Sequence, residues 1–358
     1  MASINSYKCP NCGANIPYDA KSGTLRCEHC GTEYDIDNLK AFNVEQENQS
    51  DVFKWNTDNI KSTEVKGKVT YVCPSCNGEV VGYENMSATT CPYCGSSIVI
   101  NEKLSGVLEP NLIIPFKLSK DDAIKGYETF ISNKKLLPDD FKLKNIINKL
   151  NGVYVPYWLF DADATGHARF RCTRRRFYRT GDYEITETSH FLVIRDGSAG
   201  FVKVPVDASS KLDDALLDSL EPFDYSQAED FKSAYLSNYL ADKYDQDKDQ
   251  TIAKANNRIK NTVSSLLTST VIGYDSILPQ SCYINVNNGN VAYALLPVYI
   301  FSTKYNGKIY QFAMNGQTGK FSGDLPMDKS KAIKKVLLTF VISFIAIYII
   351  MMFIYGGF

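Results

Sequence analysis

Two stretches decide the reading of this chain: Cys73-Pro74-Ser75-Cys76-Asn77-Gly78 and, across a gap of fourteen residues from Cys76, Cys91-Pro92-Tyr93-Cys94-Gly95. The same pattern stands earlier as Cys9-Pro10-Asn11-Cys12-Gly13 and Cys27-Glu28-His29-Cys30-Gly31, each cysteine 64 positions ahead of its counterpart (9 to 73, 27 to 91). The two quartets are therefore an internal repeat. A CxxC turn points two thiolates at one ion and aims backbone N–H groups at the sulfurs. Gly13, Gly31 and Gly95 permit the positive φ this turn needs, and Asn77 can also reach it. Two such turns joined by a short hairpin give a closed tetrahedral four-cysteine site without an open position, so the expected metal is structural. Zn2+ is favoured, two ions per chain; iron in a rubredoxin-like site uses the same knuckle. His29 lies inside an already complete quartet and is read as a surface residue.

The rest of the composition supports reduced cysteines. The chain has 358 residues, 44% apolar and 22% charged, with ten cysteines and a formal charge of −1 from 39 basic and 40 acidic side chains. That is a globular chain with no overall pull toward a polyanion. Residues 1–8 are polar and lack the apolar core of a signal peptide. Disulfides are disfavoured without export, and metal ligation follows.

The quartets resemble transcription-factor-IIB-like zinc ribbons, a likeness of about 30 residues per copy that occurs in very different proteins. In residues 1–36, Lys8, Lys21 and Arg26 face Asp19, Glu28, Glu33 and Asp35; in residues 68–100, Lys68 faces Glu79 and Glu84. Ribbons that hold nucleic acid normally offer phosphates a basic face. These do not, so nucleic acid is a disfavoured partner. Residues 37–67 read as a polar linker whose docking points are Phe53 and Trp55.

Residues 336–355 contain no charge and only Thr339 and Ser343 as small polar positions. Twenty helical residues span roughly 30 Å, the thickness of a hydrocarbon core. Lys329, Lys331, Lys334 and Lys335 precede them, and Gly356, Gly357 and Phe358 follow. The positive-inside rule then leaves the N-terminal bulk in the cytoplasm, under a single pass through the cell membrane. Membrane lipid is thus one expected partner, and three residues beyond the span are too few for a sensor.

Between the ribbons and the span, residues 101–328 read as an α+β cytoplasmic domain. Ser119 with Asp122 marks a helix start, with Ala123, Ile124, Tyr127, Phe130 and Ile131 on one face. Further helices are expected over 212–220, 231–240 and 248–272, the last from the spacing of Ile252, Ala255, Ile259, Val263, Leu266 and Thr270. Strands are expected over 153–160, 167–179, 183–195, 200–206, 282–286, 291–301, 309–315 and 320–322, with a turn at Thr180-Gly181-Asp182. The likeness of residues 156–160 and 297–301, each a strand entered by proline, points to two related halves.

Over most of its length the chain resembles bacterial zinc-ribbon membrane proteins of the YdjG type. The resemblance rests on the cysteines and on Ile113-Ile114-Pro115-Phe116-Lys117, Gly152-Val153-Tyr154-Val155-Pro156-Tyr157-Trp158 and Asn315-Gly316-Gln317-Thr318-Gly319. It implies a membrane platform that works with flotillin-like (SPFH) and phage-shock-type proteins in envelope stress, and it carries no catalytic residues.

No metalloprotease, phosphate-loop or dinucleotide motif accompanies the three histidines, His29, His167 and His190. Cys172 and Cys282 sit in apolar strand contexts and read as small core residues. One polar feature is concentrated: Arg169, Arg171, Arg174, Arg175, Arg176 and Arg179 among Phe170, Phe177 and Tyr178. It is a solvated hairpin edge, with Arg176 facing Glu187, or a surface for lipid head groups or an acidic partner, or one for nucleic acid. The expectation is an adaptor, not an enzyme, whose rigid ribbons project from an anchored domain and dock protein partners. A nucleic-acid-binding membrane protein and an enzyme with an unfamiliar site are the alternatives.

Overall fold

The computed structural model describes residues 7–9, 14–16, 18–19, 24–29, 31, 33–34, 50–58, 60, 68–83, 89–98, 108–132, 134–138, 141, 150–236 and 239–355. The chain forms two compact units from alternating stretches. Met1–Asn59, Phe160–Pro205 and Ile252–Val291 make the first; Ile60–Leu159, Val206–Thr251 and Ala292–Phe358 make the second. Expected strands fuse into three long ones, Asn151–Thr180, Tyr183–Asp207 and Ser276–Tyr305. Of the polar residues that separated them in sequence, Asp161 and Asp163 sit on half-buried and exposed strand positions, where polarity does not interrupt a ladder. Asn288, with φ 52°, sits at a register shift between Val286 and Gly289 that the strand runs through.

In the first unit, the helix Lys248–Ser269 contributes Ala255, Ile259, Val263 and Leu267 to an apolar core with Phe170, Cys172, Ile284 and Val286. The buried row steps by four, so Leu267 is inside and Leu266, expected there, is 51% exposed. The backbone at Gly166 lies so close to this helix that an added Cβ would be 2.5 Å from Val263 Cγ1. The Phe53 and Trp55 stretch of the linker is the strand Val52–Asn56, parallel to the Asn285–Asn290 segment. Its Trp55 Nε1 donates to Asn256 Oδ1 at 2.9 Å.

In the second unit, the helix Lys120–Ser132 opens with the expected reciprocal cap: Asp122 N–H donates to Ser119 Oγ at 3.2 Å, and Ser119 Oγ donates to Asp122 Oδ2 at 2.7 Å. Ala123, Tyr127 and Ile131 are buried, packed with Tyr299, Phe312 and Met314. The strand Lys308–Asn315 folds back antiparallel on Val298–Tyr305 through Asn306-Gly307, both with positive φ, as a tight hairpin turn demands. The two proline-entered strands make matching bonds: Pro156 O accepts from Ala208 N–H at 2.9 Å, and Pro297 O from Gly316 N–H at 2.8 Å. Of the two further helix expectations, 212–220 is met in shortened form by the helix Asp214–Asp218, whereas 231–240 fails and holds a 3-10 turn, Ser233–Leu236, before the strand Leu240–Asp242. Leu240, Ala241 and Asp242 are all buried and ladder-bonded, parallel to Val153–Tyr154 and antiparallel to Val80–Val81. Tertiary pairing overrides a helical pattern that short.

The motifs carrying the family resemblance are packing motifs. Phe116 stacks on Tyr239 at 4.0 Å and meets Tyr154 and Tyr299 edge-on. Asn315 Oδ1 caps the N–H groups of Gln317 and Thr318, while Gln317 clamps both backbone groups of Asp224.

From Lys329 to Tyr355 the chain is one helix, capped by Asp328, whose Oδ1 accepts from the Ser330 and Lys331 N–H groups. Its stretch Lys329–Met352 is long and apolar enough to cross a membrane, by length and composition, and none of its most apolar window is buried.

Candidate metal centre

The second quartet is held by a hairpin and a knuckle. Strands Lys68–Val72 and Glu79–Tyr83 pair antiparallel and carry Cys73 and Cys76 at their turn; Thr89–Thr90 and Ser97–Ile98 do the same for Cys91 and Cys94. Each turn closes identically. Cys73 N–H donates to Gly78 O and Asn77 N–H to Cys73 O; Cys91 N–H donates to Ser96 O and Gly95 N–H to Cys91 O. Asn77 and Gly95 have φ of 54° and 73°. Gly78 follows because a Cβ there would stand 2.8 Å from the Tyr93 ring.

The four sulfurs lie within 4.8 Å of one another. Cys73 and Cys94 Sγ are 3.5 Å apart, and Cys76 and Cys91 Sγ 3.6 Å. A tetrahedral zinc with bonds of ~2.3 Å places its sulfurs ~3.8 Å apart, while a disulfide would need ~2.05 Å. The set therefore fits four thiolates around one ion, with no further protein donor among the described residues and no open coordination position. Cys73 and Cys91 are buried; Cys76 is exposed and Cys94 half-buried. Burial pushes the Cys91 thiol far up and the Cys76 thiol up; at Cys94, burial opposes, but hydrogen bonds from Ser96 outweigh it and bring the thiol down to about 7. A divalent cation reverses such penalties by neutralising the thiolates as they form.

The ribbon does not project from this unit, contrary to the expectation of a free module. Cys73, Val80, Cys91 and Tyr93 share one apolar core with Val153, Leu240 and Ile300. Ser302 Oγ donates to Pro92 O at 2.7 Å and Gln311 Nε2 to Tyr93 O at 3.0 Å, so the second knuckle is bonded to both strands of the C-terminal hairpin. Lys243 Nζ pairs with Glu79 at 3.2 Å. Beneath the knuckle lies Asp242, whose carboxyl is fully buried; burial raises it to about 7, opposed by hydrogen bonding from the Ser209 and Tyr93 hydroxyls. Burial and the Asp242 charge likewise push the Tyr93 hydroxyl up. Ser302, Gln311 and Asp242 carry no signal in the sequence: Gln311 is a lone polar residue in an apolar strand, and Ser302 and Asp242 open the polar runs Ser302-Thr303-Lys304 and Asp242-Lys243, which read as ordinary strand ends. Gly78, directly after Asn77, was the visible clue to tight packing.

In the first quartet, Cys9 and Cys27 are buried, and Cys12 and Cys30 lie outside the described residues. Its register repeats that of the second: Tyr7 pairs Ile16 as Tyr71 pairs Val80, and Leu25 pairs Tyr34 as Thr89 pairs Ile98, each shifted by 64. Cys9 N–H to Ala14 O and Gly31 N–H to Cys27 O repeat the knuckle bonds, and Gly31 has φ 73°. His29 is exposed.

The arginine set divides. Arg169 is 1% exposed, inside the strand wall between buried Ala168 and Phe170, so it is not part of a surface. Arg171 is half-buried, and Arg174, Arg175, Arg176 and Arg179 are exposed. The ion pair across the turn is Arg179–Glu184, at 3.1 Å, while Arg176 lies over the Tyr178 ring. Cys172 is buried and Cys282 half-buried, and burial raises both thiols.

No family model and no solved structure matches the chain. A protein of Bacillus subtilis (strain 168) described as "Uncharacterized protein YdjG" is 35% identical over 328 residues, which is 92% of this chain and 92% of that one. At 35% identity over 92% of both chains, the chain belongs to the YdjG family.

Proposed function

We propose that this protein is a membrane-anchored zinc-ribbon adaptor whose ribbons lie on the cytoplasmic side. One observation carries the reading: a closed four-thiolate set whose buried pair, Cys73 and Cys91, is built into a core while residues 74–77 of the knuckle face solvent. A saturated structural ion fixes a surface and does no chemistry. The first quartet takes a second zinc on the same pattern, supported by buried Cys9 and Cys27 and by the repeated register. Lys329, Lys334 and Lys335, exposed ahead of the apolar helix, support the cytoplasmic orientation. Protein partners of the flotillin-like kind follow from the family resemblance alone.

Ser75 gives the test, because it is exposed between two ligands and is not itself one. Full-length protein and Ser75→Glu are captured from native membranes in mild detergent, with metal content measured on both. Equal zinc with loss of captured partners in the variant supports a docking knuckle. Equal zinc with an identical partner set removes this knuckle as the docking surface.

A further inference from the structure

The turn between the strands Asn151–Thr180 and Tyr183–Asp207 leaves an unusual set of side chains in water. Phe177 is 72% exposed and Tyr183 76%, and around them stand exposed Arg174, Arg175, Arg176 and Arg179. Large aromatic side chains at a hairpin tip bury nothing in the chain itself, so their presence is not explained by folding. The tip is braced, not loose. Arg174 Nε and Nη2 donate to Gly273 O at 3.1 and 2.9 Å, its guanidinium lies over Phe191 and Tyr274, and Arg175 N–H donates to Asp275 Oδ2 at 2.5 Å. Next to that brace in sequence, Ile272 is 79% exposed and Leu278 57%. The Arg179–Glu184 pair is too exposed to hold Arg179 against a better anion.

We propose that this hairpin tip is a second membrane contact, in which Arg175, Arg176 and Arg179 take anionic phospholipid headgroups and Phe177 and Tyr183 enter the interface. Within residues 174–184 four arginines stand against two carboxylates, Asp182 and Glu184, with Glu187 and Asp275 flanking them, and aromatic rings between cations match the layered polarity of a bilayer surface. A bilayer is the occupant at hand because the same chain carries an apolar helix of spanning length; in this the inference rests on the membrane-anchored reading.

The test places Phe177→Trp in the full-length protein, reconstituted into vesicles of phosphatidylcholine and phosphatidylglycerol with brominated acyl chains. Wild type supplies the background of Trp55 and Trp158. The added emission should be blue-shifted and quenched by bromine. That quenching should disappear in phosphatidylcholine alone, in the Arg175→Glu/Arg176→Glu/Arg179→Glu background, and near 1 M salt, where the screening length falls to ~3 Å. Tyr183→Trp, across the turn, is the second reporter if the first variant misfolds. Unquenched, solvent-like emission overturns the contact, and so does a blue shift without quenching, which shows the tip buried against this chain or another copy of it. Flotation of the vesicles at high salt reports the helix separately. A chain that floats but leaves both reporters unquenched refutes the hairpin contact alone; a chain that does not float refutes both.

Discussion

Removing the metal from the second quartet should loosen the whole second unit, not the ribbon alone. Val80, Val81 and Tyr93 are almost wholly buried against that unit's core, and Ser302 and Gln311 hold the knuckle backbone. Burial at ~1.5–3 kcal/mol per large side chain and ~1 kcal/mol per hydrogen bond makes the docked ribbon worth on the order of 5–10 kcal/mol, an upper estimate. A unit of this size has ~5–15 kcal/mol of stability in all. Without the ion, the four thiols have no reason to converge, and most of that margin goes with them. Hydrogen exchange on the full-length protein in detergent, with zinc and after a strong chelator, reads this directly. Protection should fall over 79–83, 240–242 and 302–314, and persist in the first unit's hairpin, which has a core of its own. Unchanged protection over 240–242 and 302–314 would refute the reasoning, because the ribbon would then be a passenger.

Other outcomes follow from particular contacts. Gly166→Ala forces a methyl to 2.5 Å from Val263 Cγ1 and should destabilise the first unit by ~1–3 kcal/mol in denaturant titration; a neutral variant would contradict the helix–strand packing. The Asp242 carboxyl is raised to about 7 by burial, so it binds its proton more tightly folded than unfolded, and its stabilisation is lost as pH rises through the folded value. Asp242→Asn should therefore gain on wild type as pH rises from about 4 to about 7 and then hold that gain, on the order of a few kcal/mol at most; a pH-independent difference would sink that assignment. Protease added outside intact cells should leave the ribbons uncut, and cleavage there would reverse the proposed orientation.

The cysteine knuckles were legible because their chemistry demands a local pattern: spacing, glycine and turn all lie within a few residues. The capped helix at Ser119, the hairpin turns at Gly181 and Gly316, and the apolar C-terminal helix were legible for the same reason. What sequence could not convey was non-local. Nothing near Leu240 announces that it lies beside Val153, so a short apolar run there looked helical. The long strands were broken at Asp161 and Asp163 because a polar residue on an outward strand position resembles a loop, and at Asn288 because a bulge with positive φ does. The docking of the second ribbon depends on Ser302 and Gln311, more than 200 residues from the knuckle they hold. Arg169 was counted with its neighbours because it shares the strand alternation of Arg171, Arg175 and Arg179; only the fold shows that both faces of the strand are covered at 168–170 and open from Arg174 on.

The most direct measurement is the metal itself. Full-length protein purified in detergent without added metal should carry one zinc for each cysteine quartet, and cobalt exchanged into the sites should show the absorption of a tetrahedral four-thiolate centre. Cys73→Ser should remove the second quartet's ion and leave the first. Protein that is folded yet free of metal, or whose cobalt spectrum lacks thiolate charge transfer, would contradict the zinc-ribbon account.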